Sequence, residues 1–277
     1  MKNVYLSFRR TSLKYNLSQK YLENCTFLGE ELPYYMSGKR RLLKEKDVVA
    51  WLRKKENFKY KLGRRDYLRC LYFAIKSYYS KRPKSNFGTT ELRDAGKMIF
   101  NYVEGKLGEI AVTKFLKDKF DINTKLDFEL RDAIVGQDIT EIAKPRSRGR
   151  VYNPPRLNIA IKASKMKSAW LIVSRKEARE KHRKSDIYIF VRVDLYLNHF
   201  LRIMKQNKPL SRCKKLIPDF ISIDSEICGF CNNSRLIAGR AVKKLPHTNT
   251  NITQSYIVKT GSLKNTIKNW ENLIRRL

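Results

Sequence analysis

Three residues of this 277-residue chain have the types that metal-assisted phosphodiester hydrolysis requires. In that chemistry carboxylates hold a divalent ion, which acidifies a water and neutralises phosphate charge. A nearby lysine positions or activates the attacking water. Asp138 stands in Gly136-Gln137-Asp138-Ile139, and Lys162 follows 24 residues later in Ile159-Ala160-Ile161-Lys162-Ala163-Ser164. Glu109 lies upstream of both, at the end of Gly105-Lys106-Leu107-Gly108-Glu109.

The elements that must position these residues can be read from periodicity. Leu92, Ile99, Val103, Leu107, Ile110 and Phe115 fall on one helical stripe, which predicts a helix from Thr89 or Thr90 to about Phe120 with Glu109 inside it. Each interior glycine costs roughly 1 kcal/mol against Ala. Gly105 and Gly108 therefore imply either a break near Gly105 or a close approach of backbone to another element. Residues 125–130 and 134–142 read as a bent hairpin that places Asp138 at a strand start. Leu157 to Lys162 alternates, so Lys162 faces away from Ile161 at the end of a strand. The apolar runs 169–173 and 187–193 read as central buried strands, with a charged helix or loop between them at 174–184. Upstream, residues 46–55 and 66–80 carry helical stripes, 80–88 is a breaker-rich linker, and 262–277 ends the chain as an amphipathic helix. The expected architecture is α/β of the α+β kind. A mainly helical basic region occupies 1–88, and 89–277 forms a core with a mixed central β-sheet flanked by helices.

Charge separates the same regions. Sixty Lys and Arg against 26 Asp and Glu give a formal net charge of +34, which calls for a polyanionic partner. Residues 1–89 hold 22 basic and 7 acidic side chains, and 143–277 hold 30 and 8. Residues 90–142 hold 8 and 11, so the net-acidic centre contains Glu109 and Asp138. A concentration of carboxylates in a nucleic-acid-binding chain suits a bound cation. The loop 143–156, rich in arginine at Arg146, Arg148 and Arg150, falls between the strands of Asp138 and Lys162 and is placed to grip phosphates or enter a groove. Lys165 is a further candidate contact to DNA. The clusters Lys39-Arg40-Arg41 and Arg64-Arg65 read as contacts to the sugar-phosphate backbone rather than to bases.

In order, the helix with Gly-x-x-Gly-Glu, Asp138-Ile139, the strand Ile159-Ala160-Ile161-Lys162-Ala163-Ser164 and Trp170-Leu171-Ile172-Val173 resemble the PD-(D/E)xK nuclease superfamily. Within it, type II restriction endonucleases are the nearest likeness. The resemblance covers residues 95–195. It implies a restriction-endonuclease-like core, a double-stranded DNA substrate and Mg2+. Asp138 would be the metal-binding acid, Lys162 the lysine, and Glu109 the helix glutamate that some members use. Cutting both strands at one site would favour a homodimer. The sequence departs from the pattern at Ala160, where the second acid belongs. Glu109 could replace it from the helix, or Glu177 from beyond the next strand. With that acid missing, two alternatives stay open. One is a non-catalytic DNA-binding protein on a degenerate nuclease core; the other is a repair or RNA-processing nuclease.

Other motifs carry less. Glu141-Ile142-Ala143-Lys144 has one residue too many between acid and base. Cys228 and Cys231, with Cys213 before and His247 after, offer either a Cys3His zinc site or small buried hydrophobes. His182, His199 and His247 are not clustered and read as surface or groove residues. No phosphate-loop glycine pattern supports ATP-driven work. No apolar run is long enough for a membrane span, no lipidation signal or basic amphipathic helix suggests membrane binding, and Met1 to Leu6 lacks a signal peptide's apolar core. With irregularly spaced cysteines, the expectation is a cytoplasmic protein.

Overall fold

The structure, a computed structural model, describes residues 3–80, 95–129, 137–144, 151–196, 199, 222–246 and 250–277. β1 (Tyr5–Ser7) leads into α1 (Phe8–Tyr15), and α2 (Gln19–Glu23) runs on into one π-helical turn at Asn24–Leu28. Ser7 and Ser18 begin these helices, each hydroxyl accepting a first-turn N–H, from Arg10 and Tyr21. β2 (Tyr35–Ser37) and β3 (Arg40–Lys44) form a hairpin before α3 (Glu45–Glu56). β1, β3 and β2 pair antiparallel in that order. This unit is rich in helix, as the stripe at 46–55 implies, but its small sheet is not announced by an alternating apolar pattern. It closes over Leu22, Cys25, Leu32, Leu43, Val48 and Trp51.

β4 (Lys59–Leu62) and α4 (Arg64–Tyr79) follow, and α5 spans Ala95–Phe120. α5 is unbroken at Gly105, so of the two readings of its glycines the break is excluded. β5 (Asn123–Leu126) pairs antiparallel with β6 (Ile139–Ala143). Next come β7 (Ile159–Lys165), β8 (Trp170–Ser174), α6 (Arg175–Arg179), β9 (Ile187–Val193) and β10 (Ile223–Asn232). The central sheet has the order β4-β10-β9-β7, with β7 and β9 parallel and the other pairs antiparallel. It is the mixed sheet expected, although Lys162 stands in the middle of its strand rather than at its end. β4 and α4, which precede residue 88, belong to this layer, with β4 on β10 and α4 against α5.

The sheet's two faces are covered differently. Ile159, Ile161, Ile189, Val191, Ile227 and Phe230 pack beneath α5. The opposite face presents Ala160, Tyr188, Phe190, Cys228 and Cys231 to a second layer. That layer consists of α7 (Asn233–Ala238), β11 (Val242–Lys244) and β12 (Asn251–Lys259), with β8 pairing on β12. β8 is buried as its apolar run predicts, but it forms the edge of this second sheet. After a 3-10 turn at Thr260–Ser262, α8 (Ile267–Ile274) inserts Trp270 between Phe115 and Phe230.

The N-terminal unit is fastened to the central sheet by buried charge. The Arg192 guanidinium on β9 reaches Glu226 of β10 at 3.0 Å and Glu31 at 2.6 Å, and Lys55 of α3 pairs with both carboxylates. Tyr21 and Thr260 donate hydroxyls to Glu226 and Glu31, and Ser168 O accepts from Arg192 Nε. Two cations thus meet two anions with their lone pairs largely used, the condition under which burial of charge is tolerated.

Candidate active site

The three sequence-predicted residues lie along the β7 edge of the central sheet, Glu109 on the α5 side and Lys162 on the other, with the Asp138 charge acting on both. Among the described residues β7 has a strand partner on one side only. On the other, the Asp138 N–H donates to Ile159 O at 2.9 Å, and Asp138 Oδ2 accepts from the Ile161 N–H at 2.6 Å. Asp138 therefore sits beside the strand that carries Lys162, one residue before β6 begins. Ile161 turns under α5, whereas Lys162 points, like Ala160, toward the second layer. There its Nζ lies 2.6 Å from Glu177 Oε1. Glu177 is in the first turn of α6, where its N–H donates to the Ser174 hydroxyl.

Glu109 arrives from the α5 side. A Cβ on Gly108 would stand 2.7 Å from the Ala163 Cβ, so the helix touches β7 where no larger residue fits. This is the close approach that the glycine implies. Glu109 is buried, and its Oε2 lies 2.7 Å from Lys106 Nζ. The same ammonium donates to Asp127 O at 2.6 Å and sits about 5 Å from the ring centroids of Phe73 and Phe128. Sequence reasoning missed Lys106, although its i,i+3 spacing from Glu109 is the signal that could have found it.

Burial, reinforced by the charge of Asp138, pushes the Glu109 carboxyl up to about 8, with Lys106 opposing. Burial also raises Asp138, against Lys162 and the Ile161 N–H. Burial works against the charge of Lys162, but Glu177 and Asp138 outweigh it and hold the ammonium above the usual lysine range. Two acids whose ionisation is disfavoured thus lie near a lysine whose charge is secure. A divalent cation would relieve the first condition. Among the described residues no three His, Cys, Asp or Glu side chains are grouped as a ready-made metal cage. Two carboxylates with the remaining positions left to water and phosphate are nevertheless a usual provision for Mg2+.

The position where the resemblance wants a second acid is closed. Ala160 is buried against the layer of Leu171 and Val173, and a carboxylate there would lose its water. Of the two substitutes, Glu177 touches Lys162 directly, and Glu109 acts on the Asp138 side.

Lys165 ends β7 half-buried, 5.9 Å from the Phe100 ring centroid. Its charge opposes the burial that pushes Glu104 of α5 up to about 7. Arg146, Arg148, Arg150, Cys213 and His247 lie outside the described residues. The described ends of the arginine loop pair with each other, through two backbone hydrogen bonds between Ile142 and Asn153. Glu141 pairs with Lys125 across β5 and β6 at 2.7 Å, which accounts for it without chemistry. Cys228 and Cys231 are buried thiols, both pushed up by burial, in a cluster with Tyr188 and Leu236. His182 is exposed, as expected. His199 corrects the expectation: it is buried, with Nδ1 2.6 Å from the Tyr67 hydroxyl, because Tyr67 and Phe100 enclose it.

No protein-family model, curated protein or solved structure matches this chain. No helix among the described residues is long and apolar enough to cross a membrane.

Proposed function

We propose that this chain is a Mg2+-dependent endonuclease that hydrolyses phosphodiester bonds in double-stranded DNA. On this reading it is a site-specific enzyme of the type II restriction kind, related to the PD-(D/E)xK nucleases and acting as a homodimer. One observation carries the reading: Asp138, at a strand start on the open edge of β7, exerts its charge both on Glu109 of α5 and on Lys162 in mid-strand. The charge of +34 supports the choice of a nucleic-acid substrate.

Glu109 and Asp138 would hold the ion, which when bound supplies an acidified water and neutralises phosphate charge. The chain's own groups do the rest. The Ile161 N–H fixes the Asp138 carboxylate, and Lys106 steadies Glu109. Lys162 keeps its proton at neutral pH and can donate to a phosphate oxygen or orient the attacking water. Glu177 sets the direction of that ammonium. The competing reading, a DNA-binding protein on an inactive core, is favoured by Ala160.

The test is incubation with mixed-sequence duplex DNA and Mg2+, beside Asp138→Ala and Lys162→Ala. Discrete fragments are expected from the wild type, with rates lowered in each variant by about 10²–10⁴-fold. Tight, salt-sensitive binding without cleavage would select the inactive core instead. Indiscriminate degradation, or preference for RNA, would select a nuclease of other purpose.

A further inference from the structure

The β2–β3 hairpin stands apart from the chemistry. Its two-residue loop is Gly38-Lys39, and Gly38 has φ +58°, as the first loop position of a type II′ turn requires. A Cβ built on Gly38 would meet nothing within 4 Å, so the tip stands clear of the molecule. All three β2 residues are exposed, Met36 at 59%. From Pro33 to Lys44 the chain has four basic residues and no acid. Among the described residues Lys39 and Arg40 form no ion pair, whereas Arg41 is anchored at the base, its guanidinium 4.6 Å from the Phe27 ring centroid.

From these features we infer that the β2–β3 hairpin enters the major groove of duplex DNA. The inference rests on the DNA reading above and adds the element that contacts the duplex. Charge selects a polyanion, and shape selects the groove. Strands of three residues span about 10 Å, close to the ~8.5 Å depth of the major groove. A two-stranded ribbon fits a groove about 12 Å wide but not the minor groove of about 6 Å. Lys39 and Arg40 then lie beside phosphates and guanine edges, and Met36 offers an apolar contact for thymine methyl groups. The open face behind the tip is braced for such a load. The Tyr5 and Tyr35 rings meet edge to face at 5.4 Å, with the Lys44 ammonium 6.0 Å from each centroid.

The experiment is fluorescence anisotropy of the full chain with a labelled duplex, over a range of salt and with EDTA to prevent cleavage. Lys39→Ala/Arg40→Ala should bind about ten-fold more weakly, with a salt slope shallower by about 2. Its thermal midpoint should match the wild type, since both side chains are exposed. The matched pair Lys268→Ala/Arg275→Ala, on and just beyond α8, should bind as the wild type does. An equal loss there would mean that total charge governs binding and would overturn the inference. So would a hairpin variant that binds normally, displacement by a minor-groove ligand, or tighter binding to single strands. Apart from a preference for single strands, these results leave the nuclease reading untouched; that reading fails if a wild type that binds duplex through the hairpin never cleaves it. A wild type that does not bind duplex at all overturns both.

Discussion

Glu109 is the residue at which burial and function pull hardest against each other. Its carboxyl is raised from an ordinary 4.5 to about 8, so between these values the folded chain binds a proton that the unfolded chain has lost. The metal-free protein is therefore expected to lose stability as pH rises through that window, and Glu109→Gln should reduce the loss, what remains belonging to Glu104 and Asp138. Denaturant melts at pH 5 and pH 8 check this. A cation that takes the ionised carboxylate must also expel the proton. Mg2+ or Mn2+ affinity is accordingly expected to rise up to about ten-fold per pH unit and to level off above pH 8. Titration calorimetry in buffers of different ionisation heat would count the proton released. A flat affinity profile would count against Glu109 as a ligand. At this scale much of the candidate site was legible: Asp138 and Lys162 are recognisable by type and local pattern. Lys106 and the contact of Glu177 with Lys162 were not, because each depends on which way a side chain turns within its element.

At the scale of elements, α5 carries two glycines with opposite roles. Gly108 is where the helix lies on Ala163, whereas a Cβ on Gly105 meets nothing. Gly108→Ala is expected to cost about 1–3 kcal/mol by forcing helix and strand apart. It should also impair cleavage, since Glu109 is the next residue. Gly105→Ala is expected to stabilise by up to about 1 kcal/mol. Urea unfolding of the two variants separates these cases. Sequence periodicity located α3, α4, α5 and α8 because their apolar stripes are long. It passed over β4, β10 and β12. In β10 the run Asp224-Ser225-Glu226 hides a buried strand, since Glu226 is neutralised by Lys55 and Arg192 from remote parts of the chain. The β2–β3 hairpin was hidden for a related reason: β2 is exposed throughout and β3 opens on Arg40-Arg41, so no apolar alternation marks them.

For the whole molecule, the decisive interaction is the knot of Glu31, Lys55, Arg192 and Glu226. Glu226→Ala would leave two buried cations with one carboxylate and is expected to cost about 3–5 kcal/mol. Burial opposes the charge of Glu31 and Glu226, yet Lys55 and Arg192 hold both below the usual carboxylate range. Their contribution is present above about pH 4.5 and is lost as pH falls toward their folded values. Acid unfolding followed by circular dichroism should therefore steepen below pH 4.5 in the wild type and be weaker in the variant. The surplus of positive charge lies elsewhere, on surfaces such as the hairpin, because inside the fold these charges are matched one for one.

The same knot sets a timetable for the chain as it is made. Lys55 and Glu226 are 171 residues apart. At ordinary rates of synthesis that gap takes roughly 10–30 s to cross. Until β10 emerges from the ribosome, β4 lacks the strand it pairs with, and Lys55 lacks one of its two carboxylates. The N-terminal unit must spend that interval hydrated and only partly assembled. Assembly of the central sheet is thus a late, long-range event that waits for β10.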